Sequence, residues 1–150
     1  MKPIHILLVE DNEGDILLTR EALEDAKIIT QLSVTRDGKE AIDFLTRQGK
    51  YCNVSLPALI LLDVNLPLKN GYEVLRFIKE NKDLKHIPVI MLTTSSSKRD
   101  IDKAYDNHVN CYITKPVEIN DFINVVTAIE KFWISIVELP AKNEIIYDKG

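Results

Sequence analysis

The side chains able to do chemistry in this sequence stand where hydrophobic runs end. Ile4-His5-Ile6-Leu7-Leu8-Val9 gives way to Glu10-Asp11, and Ala58-Leu59-Ile60-Leu61-Leu62 gives way to Asp63. Val89-Ile90-Met91-Leu92 is followed by Thr93-Thr94, and the weaker run at residues 110–114 by Lys115-Pro116. Each group has an ordinary structural use. Glu10-Asp11 could cap a following helix, Asp63–Pro67 has turn composition, Lys115 could be a solvated surface charge, and strand-end threonines are usually structural. Gathered in one place, they imply more. Two carboxylates ~4 Å apart repel by ~4 kcal/mol at an effective dielectric constant of ~20, so three do not assemble without a cation. Lys115 supplies one positive charge, which leaves a net negative pocket suited to a divalent metal. Oxygen-only ligands favour Mg²⁺ over zinc.

The elements that would gather these residues alternate between strand and helix. The three strong runs are nearly uninterrupted apolar sequence, as expected of strands buried on both faces. Residues 32–36 and 110–114 add two weaker strands, the second short enough for an edge. Helical spacing falls between them. Ile16, Leu17, Arg20, Leu23 and Glu24 define a first helix with Leu17 and Leu23 on its buried face. Ala41, Ile42 and Leu45 mark a second, opened by Asp37-Gly38. Val74, Leu75 and Ile78 mark a third, beginning at Gly71 and ending before Pro88. A polar fourth surrounds Ile101, Ala104 and Tyr105, and a fifth covers about 118–138, stopped by Pro140. Repeated strand–helix units imply an α/β fold with a parallel sheet and helices on both faces. In such sheets, ligands sit beyond the carboxyl ends of the strands, at the point where strand order reverses.

Composition narrows the partners. The 150 residues suit a single domain (1–150), with 45% hydrophobic and 28% charged residues. A formal charge of −4 argues against nucleic acid as a partner. No run reaches the ~18 apolar residues of a membrane span, and the first ten residues lack a signal-peptide layout. Cys52 and Cys111 have no metal-like spacing and read as free thiols of a reducing compartment. A cytoplasmic location is expected.

The motifs resemble those of the two-component response-regulator receivers, the CheY-like family. They are Val9-Glu10-Asp11-Asn12, Leu62-Asp63-Val64-Asn65-Leu66-Pro67, Asn70-Gly71-Tyr72-Glu73, Met91-Leu92-Thr93-Thr94 and Tyr112-Ile113-Thr114-Lys115-Pro116, in the family's order and spacing over about 4–139. Asn65-Leu66-Pro67 before a Lys-Asn-Gly turn, Leu92-Thr93-Thr94-Ser95 and Phe132-Trp133 make the chain most similar to single-domain regulators of cyanobacterial-type phytochrome histidine kinases. The resemblance implies a doubly wound, flavodoxin-like sheet of five parallel strands in the order 2-1-3-4-5. It implies that Asp63 is a phosphoacceptor served by a histidine kinase. Asp11, Asp63 and the Asn65 backbone carbonyl would hold Mg²⁺, with Glu10 acting through water. Lys115 and the Thr93 hydroxyl would contact phosphoryl oxygens, a cis Lys115–Pro116 bond would aim the lysine inward, and Thr93 with Tyr112 would form a switch. Tyr112 could also be a plain edge-strand tyrosine. Thr94 stands where many receivers carry Ala or Gly, so a narrower mouth is expected. Such a protein is not a conventional enzyme, although it promotes its own phosphorylation and autodephosphorylation.

After Pro116 there is length for one helix and a tail (140–150), with no room for an output domain, so output is expected through a downstream protein target. The last helix has an apolar arc of roughly 200°, wider than the ~100° or so that packing on one sheet needs. Ile119, Phe122, Val126, Ile129, Trp133, Ile136 and Val137 form its stripe, Val125 and Phe132 extend one side, and Ile123 widens the other. The excess is read as a homodimer interface that includes Val125, Phe132 and Trp133. The alternative is that Glu144-Ile145-Ile146-Tyr147 folds back over it. Three rival functions fit the sequence less well. A flavodoxin-like cofactor binder would place its hydroxyl-rich phosphate loop after the first strand, where this chain is acidic. An aspartyl-phosphate hydrolase would show Asp-x-Asp there, whereas Asp11 is followed by Asn12-Glu13. A degenerate receiver acting as a phosphorylation-independent interaction module would have no need of Glu10, Asp11, Asp63, Thr93 and Lys115 together.

Overall fold

The computed structural model describes residues 3–25, 30–94, 111–115, 117, 118, 120, 121 and 124. The elements in chain order are β1 (Ile4–Val9), α1 (Glu13–Asp25), β2 (Thr30–Thr35), α2 (Gly38–Leu45), a 3₁₀ turn (Gly49–Tyr51), β3 (Leu59–Asp63), α3 (Gly71–Glu80), β4 (Val89–Thr93) and β5 (Cys111–Thr114). The strands form one sheet in the order β2-β1-β3-β4-β5, and every pairing is parallel. The order reverses between β1 and β3. β5 is an edge strand, as its short run implied, and β2 forms the other edge.

Alternation along the strands divides the core into two layers, because successive side chains of a strand point to opposite faces. Leu7 and Val9 of β1, Ile60 and Leu62 of β3, and Val89 and Met91 of β4 meet Ala41, Phe44 and Leu45 of α2 and Val74, Leu75 and Ile78 of α3. Ile6 and Leu8, Leu59 and Leu61, and Ile90 and Leu92 face the other way, toward Ile16 and Leu23 of α1 and Ile113 of β5. The uninterrupted apolar runs follow from this arrangement. β3 and β4 are buried at every position.

The helices begin where their sequences allow free amides to be satisfied. The Asn12 side chain accepts from the Asp15 amide at 2.9 Å, and Asp37 accepts from the Glu40 amide at 2.7 Å. Asn70 and Glu73 bond each other's backbone amides, both at 3.0 Å, in a reciprocal cap at the start of α3. The buried face of α1 differs from the expectation in one respect. Leu23 is buried, but Leu17 is 56% exposed, and the buried positions are Ile16, Thr19, Ala22 and Leu23. At 100° per residue those four share a stripe, and Leu17 lies a quarter-turn or more outside it.

The expected fourth helix, all of the expected last helix but residues 118, 120, 121 and 124, Pro116, the tail, Phe132, Trp133, Val125 and the Tyr112 side chain lie outside the described residues. No helix among the described residues is long and apolar enough to cross a membrane.

Candidate functional site

The register of the sheet brings the strand ends together. Val9 pairs with Thr35 on one side and Leu62 on the other, so Glu10 follows β1 beside Asp63 at the end of β3. Asp63 pairs with Leu92, and Thr93 with Thr114. The Lys115 amide then donates to the Thr93 carbonyl at 2.6 Å, which carries the β5 end one residue further along the same edge. Residues far apart in sequence reach one rim because all four strands finish nearly level. The rim is the carboxyl edge, and the β1–β3 step within it is the switch point.

Two close approaches fix the loops above this rim. A Cβ added to Gly71 would lie 2.3 Å from the Asp63 carbonyl oxygen and 2.8 Å from the Val64 Cα. No other residue fits there without moving the end of β3. Gly38 has the same role on the neighbouring loop, where a Cβ would meet the Lys69 carbonyl oxygen at 2.1 Å. The Gly71 amide donates to the Val64 carbonyl at 2.9 Å, closing the loop that follows Asp63.

Glu10, Asp11 and Asp63 each bring a carboxylate oxygen into one group whose members lie within 4.8 Å of one another. Glu10 and Asp63 are buried and Asp11 is exposed. The Asn65 amide donates to Asp63 Oδ1 at 3.3 Å, and the Asn12 amide to Glu10 Oε2 at 3.3 Å. Lys115 Nζ donates to Glu10 Oε1 at 2.8 Å and lies 3.3 Å from Asp63 Oδ2. Thr93 is buried at the end of β4.

A further acid stands in this group that the sequence reading did not single out. Lys115 Nζ also donates to Asp15 Oδ2 at 2.8 Å. The available signal was only an acid in the first turn of α1, an ordinary place for Asp or Glu. The cation that Asp15 meets is a lysine a hundred positions away.

The electrostatics follow from crowding and burial. Three carboxylates surround one ammonium and Asp11 lies beside two of them, so the group is net negative even with the lysine in place. Burial, helped by neighbouring Asp63 and opposed by Lys115, pushes the Glu10 carboxyl up to about 7. Lys115 is pushed above its ordinary value, because the bonds to Asp15 and Glu10 outweigh the desolvation that opposes them. The lysine therefore stays charged. Hard oxygen donors with excess negative charge, and no nitrogen or sulfur ligand among them, fit a divalent cation such as Mg²⁺ or Mn²⁺.

Comparison with known proteins agrees with this geometry. The family model described as response regulator receiver domain matches residues 6–127. The chain belongs to that family. It is 50% identical over 139 residues to the response regulator Rcp1 of Synechocystis sp., covering 93% of this chain and 95% of Rcp1. Among solved structures it resembles the phosphorylated cyanobacterial phytochrome response regulator RcpA, with 48% identity, a TM-score of 0.75, and coverage of 89% of this chain and 96% of that one. It also resembles the Mn²⁺-bound form of Rcp1, with 49% identity, a TM-score of 0.74, and coverage of 90% and 97%. This receiver is thus related to the phytochrome response regulators, and the 2-1-3-4-5 sheet is the family's fold.

Proposed function

We propose that this receiver accepts a phosphoryl group on Asp63 from a histidine kinase, in a Mg²⁺-dependent reaction, and passes the signal on by protein contact. The observation that carries the reading is the Asp63 carboxylate itself. It is buried at the switch point, 3.3 Å from a charged lysine and grouped with two further acids. A carboxylate used only as a turn former would not be desolvated among like charges.

Asp11, Asp63 and the Asn65 carbonyl are assigned to the metal, with Glu10 acting through water; the ion supplies charge neutralisation at the phosphoryl oxygens. The chain's own part is alignment, since phosphoryl transfer needs little covalent help beyond positioning and neutralisation. An Asp63 oxygen bonds to phosphorus as the phosphorus–nitrogen bond to the donor histidine breaks, and the electron pair returns to the imidazole. Lys115 moves its positive charge onto one phosphoryl oxygen, and the Thr93 hydroxyl donates to another. Drawing Thr93 toward the phosphoryl group leaves space that Tyr112 fills, which changes the surface near β5. The same groups serve phosphorylation and its hydrolytic reversal, so the protein promotes both without being a conventional enzyme.

The large apolar side chains exposed among the described residues are Leu17, Leu18 and Leu68. All three lie on segments that follow the site strands β1 and β3, where a protein donor would have to approach. The phosphorylated RcpA structure and the kinship with phytochrome regulators support a phytochrome-type kinase as that donor. A Mn²⁺-bound relative supports a divalent ion on the equivalent acids. The wide apolar arc read from the sequence of residues 118–138 supports a homodimer through Val125, Phe132 and Trp133.

Phosphotransfer from a panel of phosphorylated histidine kinases, with and without excess EDTA, tests the reading. Rapid transfer from a phytochrome-type kinase, abolished by EDTA and restored by Mg²⁺, is expected. Transfer that survives EDTA contradicts the role given to the metal.

A further inference from the structure

The contact between Lys115 and Asp15 has no part in the chemistry proposed for Asp63. Lys115 has three N–H groups, and three carboxylates stand around them. Two bonds, to Glu10 and Asp15, measure 2.8 Å, within the ~2.7–2.9 Å of charge-assisted hydrogen bonds. The third separation, 3.3 Å to Asp63 Oδ2, is longer than such a bond. The ammonium therefore leans away from the phosphoacceptor. The burial of the three acids shows which way it leans. Glu10 and Asp63 are buried, whereas the Asp15 side chain is 29% exposed in the first turn of α1. Lys115 itself is 8% exposed, so little solvent screens the pull of Asp15.

We propose that Asp15 is a positioning residue for Lys115, holding the ammonium off the Asp63 carboxylate and toward the side from which a phosphoryl group enters. Without Asp15, Lys115 keeps only Glu10 and Asp63 as partners, and its free N–H closes on Asp63. The lone pair that must attack phosphorus is then engaged, and the charge meant for the phosphoryl oxygens sits too deep. Asp15 itself makes and breaks no bond to phosphorus. The inference rests on Asp63 being the phosphoacceptor, and its test separates the two.

Acetyl phosphate is the probe, because it needs no docking to α1. The Asp63–phosphorus bond forms as the phosphorus–oxygen bond to acetate breaks, and the electron pair leaves with acetate. Initial phosphorylation rates are compared at saturating Mg²⁺ for wild type, Asp15→Asn, Asp15→Glu, Lys115→Ala and the double variant Asp15→Asn with Lys115→Ala. Loss of one charged anchor slows Asp15→Asn by about tenfold, while Asp15→Glu returns to within about threefold of wild type. In the Lys115→Ala background, Asp15→Asn changes the rate by less than about twofold, since its effect acts through the lysine. An Asp15→Asn rate equal to wild type overturns the proposal, and so does an equal loss in both backgrounds. A wild type that takes up no phosphoryl group overturns the phosphoacceptor reading itself. The ion pair is also checked in metal-free protein, where Asp15→Asn should shift the Lys115 Cε resonance and leave other lysines in place. An unmoved Lys115 resonance overturns the proposal whatever the rates show.

Discussion

At the scale of single residues, position in the sheet decides chemical state. Glu10 and Asp11 are neighbours in sequence, yet one is buried against Lys115 and the other is exposed. The first holds the lysine, and the second is the acid proposed to face a metal. His5 shows the same logic away from the site. Its ring lies beside the Ser33 hydroxyl at 2.9 Å and the Ser55 hydroxyl at 3.3 Å, with the Phe44 ring edge-on, and no carboxylate is among these neighbours. Burial lowers its pKa from the ordinary value of 6.5, against a smaller upward effect from the Leu56 backbone. The unfolded chain then takes up this proton more readily than the folded protein. Its stabilising contribution is complete above 6.5 and is lost as pH falls below that value toward the folded pKa. Urea unfolding of wild type and His5→Gln at about pH 7.5 and about pH 5.5 checks this, with the wild type losing more stability on acidification than the variant. Equal losses would remove His5 from the account.

At the scale of elements, the strands were legible because β1, β3 and β4 are buried on both faces, and such strands leave continuous apolar runs. The strand-end acids, Thr93 and Lys115 were legible for a related reason, since an open parallel sheet gathers its carboxyl ends on one rim. The face of α1 was not. Leu17 and Leu23 both fit a helical stripe on paper, and only the position of the sheet decides that Ile16 and Leu23 go in while Leu17 stays out. Asp15 escaped notice for a similar reason, because its significance depends on the arrival of β5. Gly71 shows how an element boundary shapes the site. Its missing side chain lets α3 start against the Asp63 carbonyl, where a Cβ would sit at 2.3 Å. Gly71→Ala should therefore displace the end of β3, costing about 1–3 kcal/mol as other overpacked positions do. Phosphorylation should slow with it. Gly14→Ala is the control, since the added Cβ meets only the Asn12 side chain, at 3.2 Å. Urea titrations of both variants check the contrast, and a Gly71→Ala protein as stable as wild type would contradict the packing argument.

At the scale of the whole molecule, the fold is a scaffold whose buried layers hold a net negative rim in place. In the proposed reading, its output depends on surfaces beyond the rim. The homodimer proposed for the last helix rests on the sequence stripe through Val125, Phe132 and Trp133. A two-fold interface uses one patch twice, so a single charge damages both halves. Phe132→Glu should convert a dimer to monomer in sedimentation while Asp63 phosphorylation continues; a wild type that is monomeric at tens of micromolar, phosphorylated or not, would leave the stripe to the tail. The claim on which the rest depends is that Asp63 is the acceptor. Asp63→Asn keeps the shape of the side chain and removes its nucleophilic carboxylate. The direct measurement is transfer of labelled phosphate from a phosphorylated histidine kinase to wild type and to Asp63→Asn, with circular dichroism confirming that both are folded. The wild type should be labelled and the variant should not. Undiminished labelling of a folded Asp63→Asn protein would contradict the account.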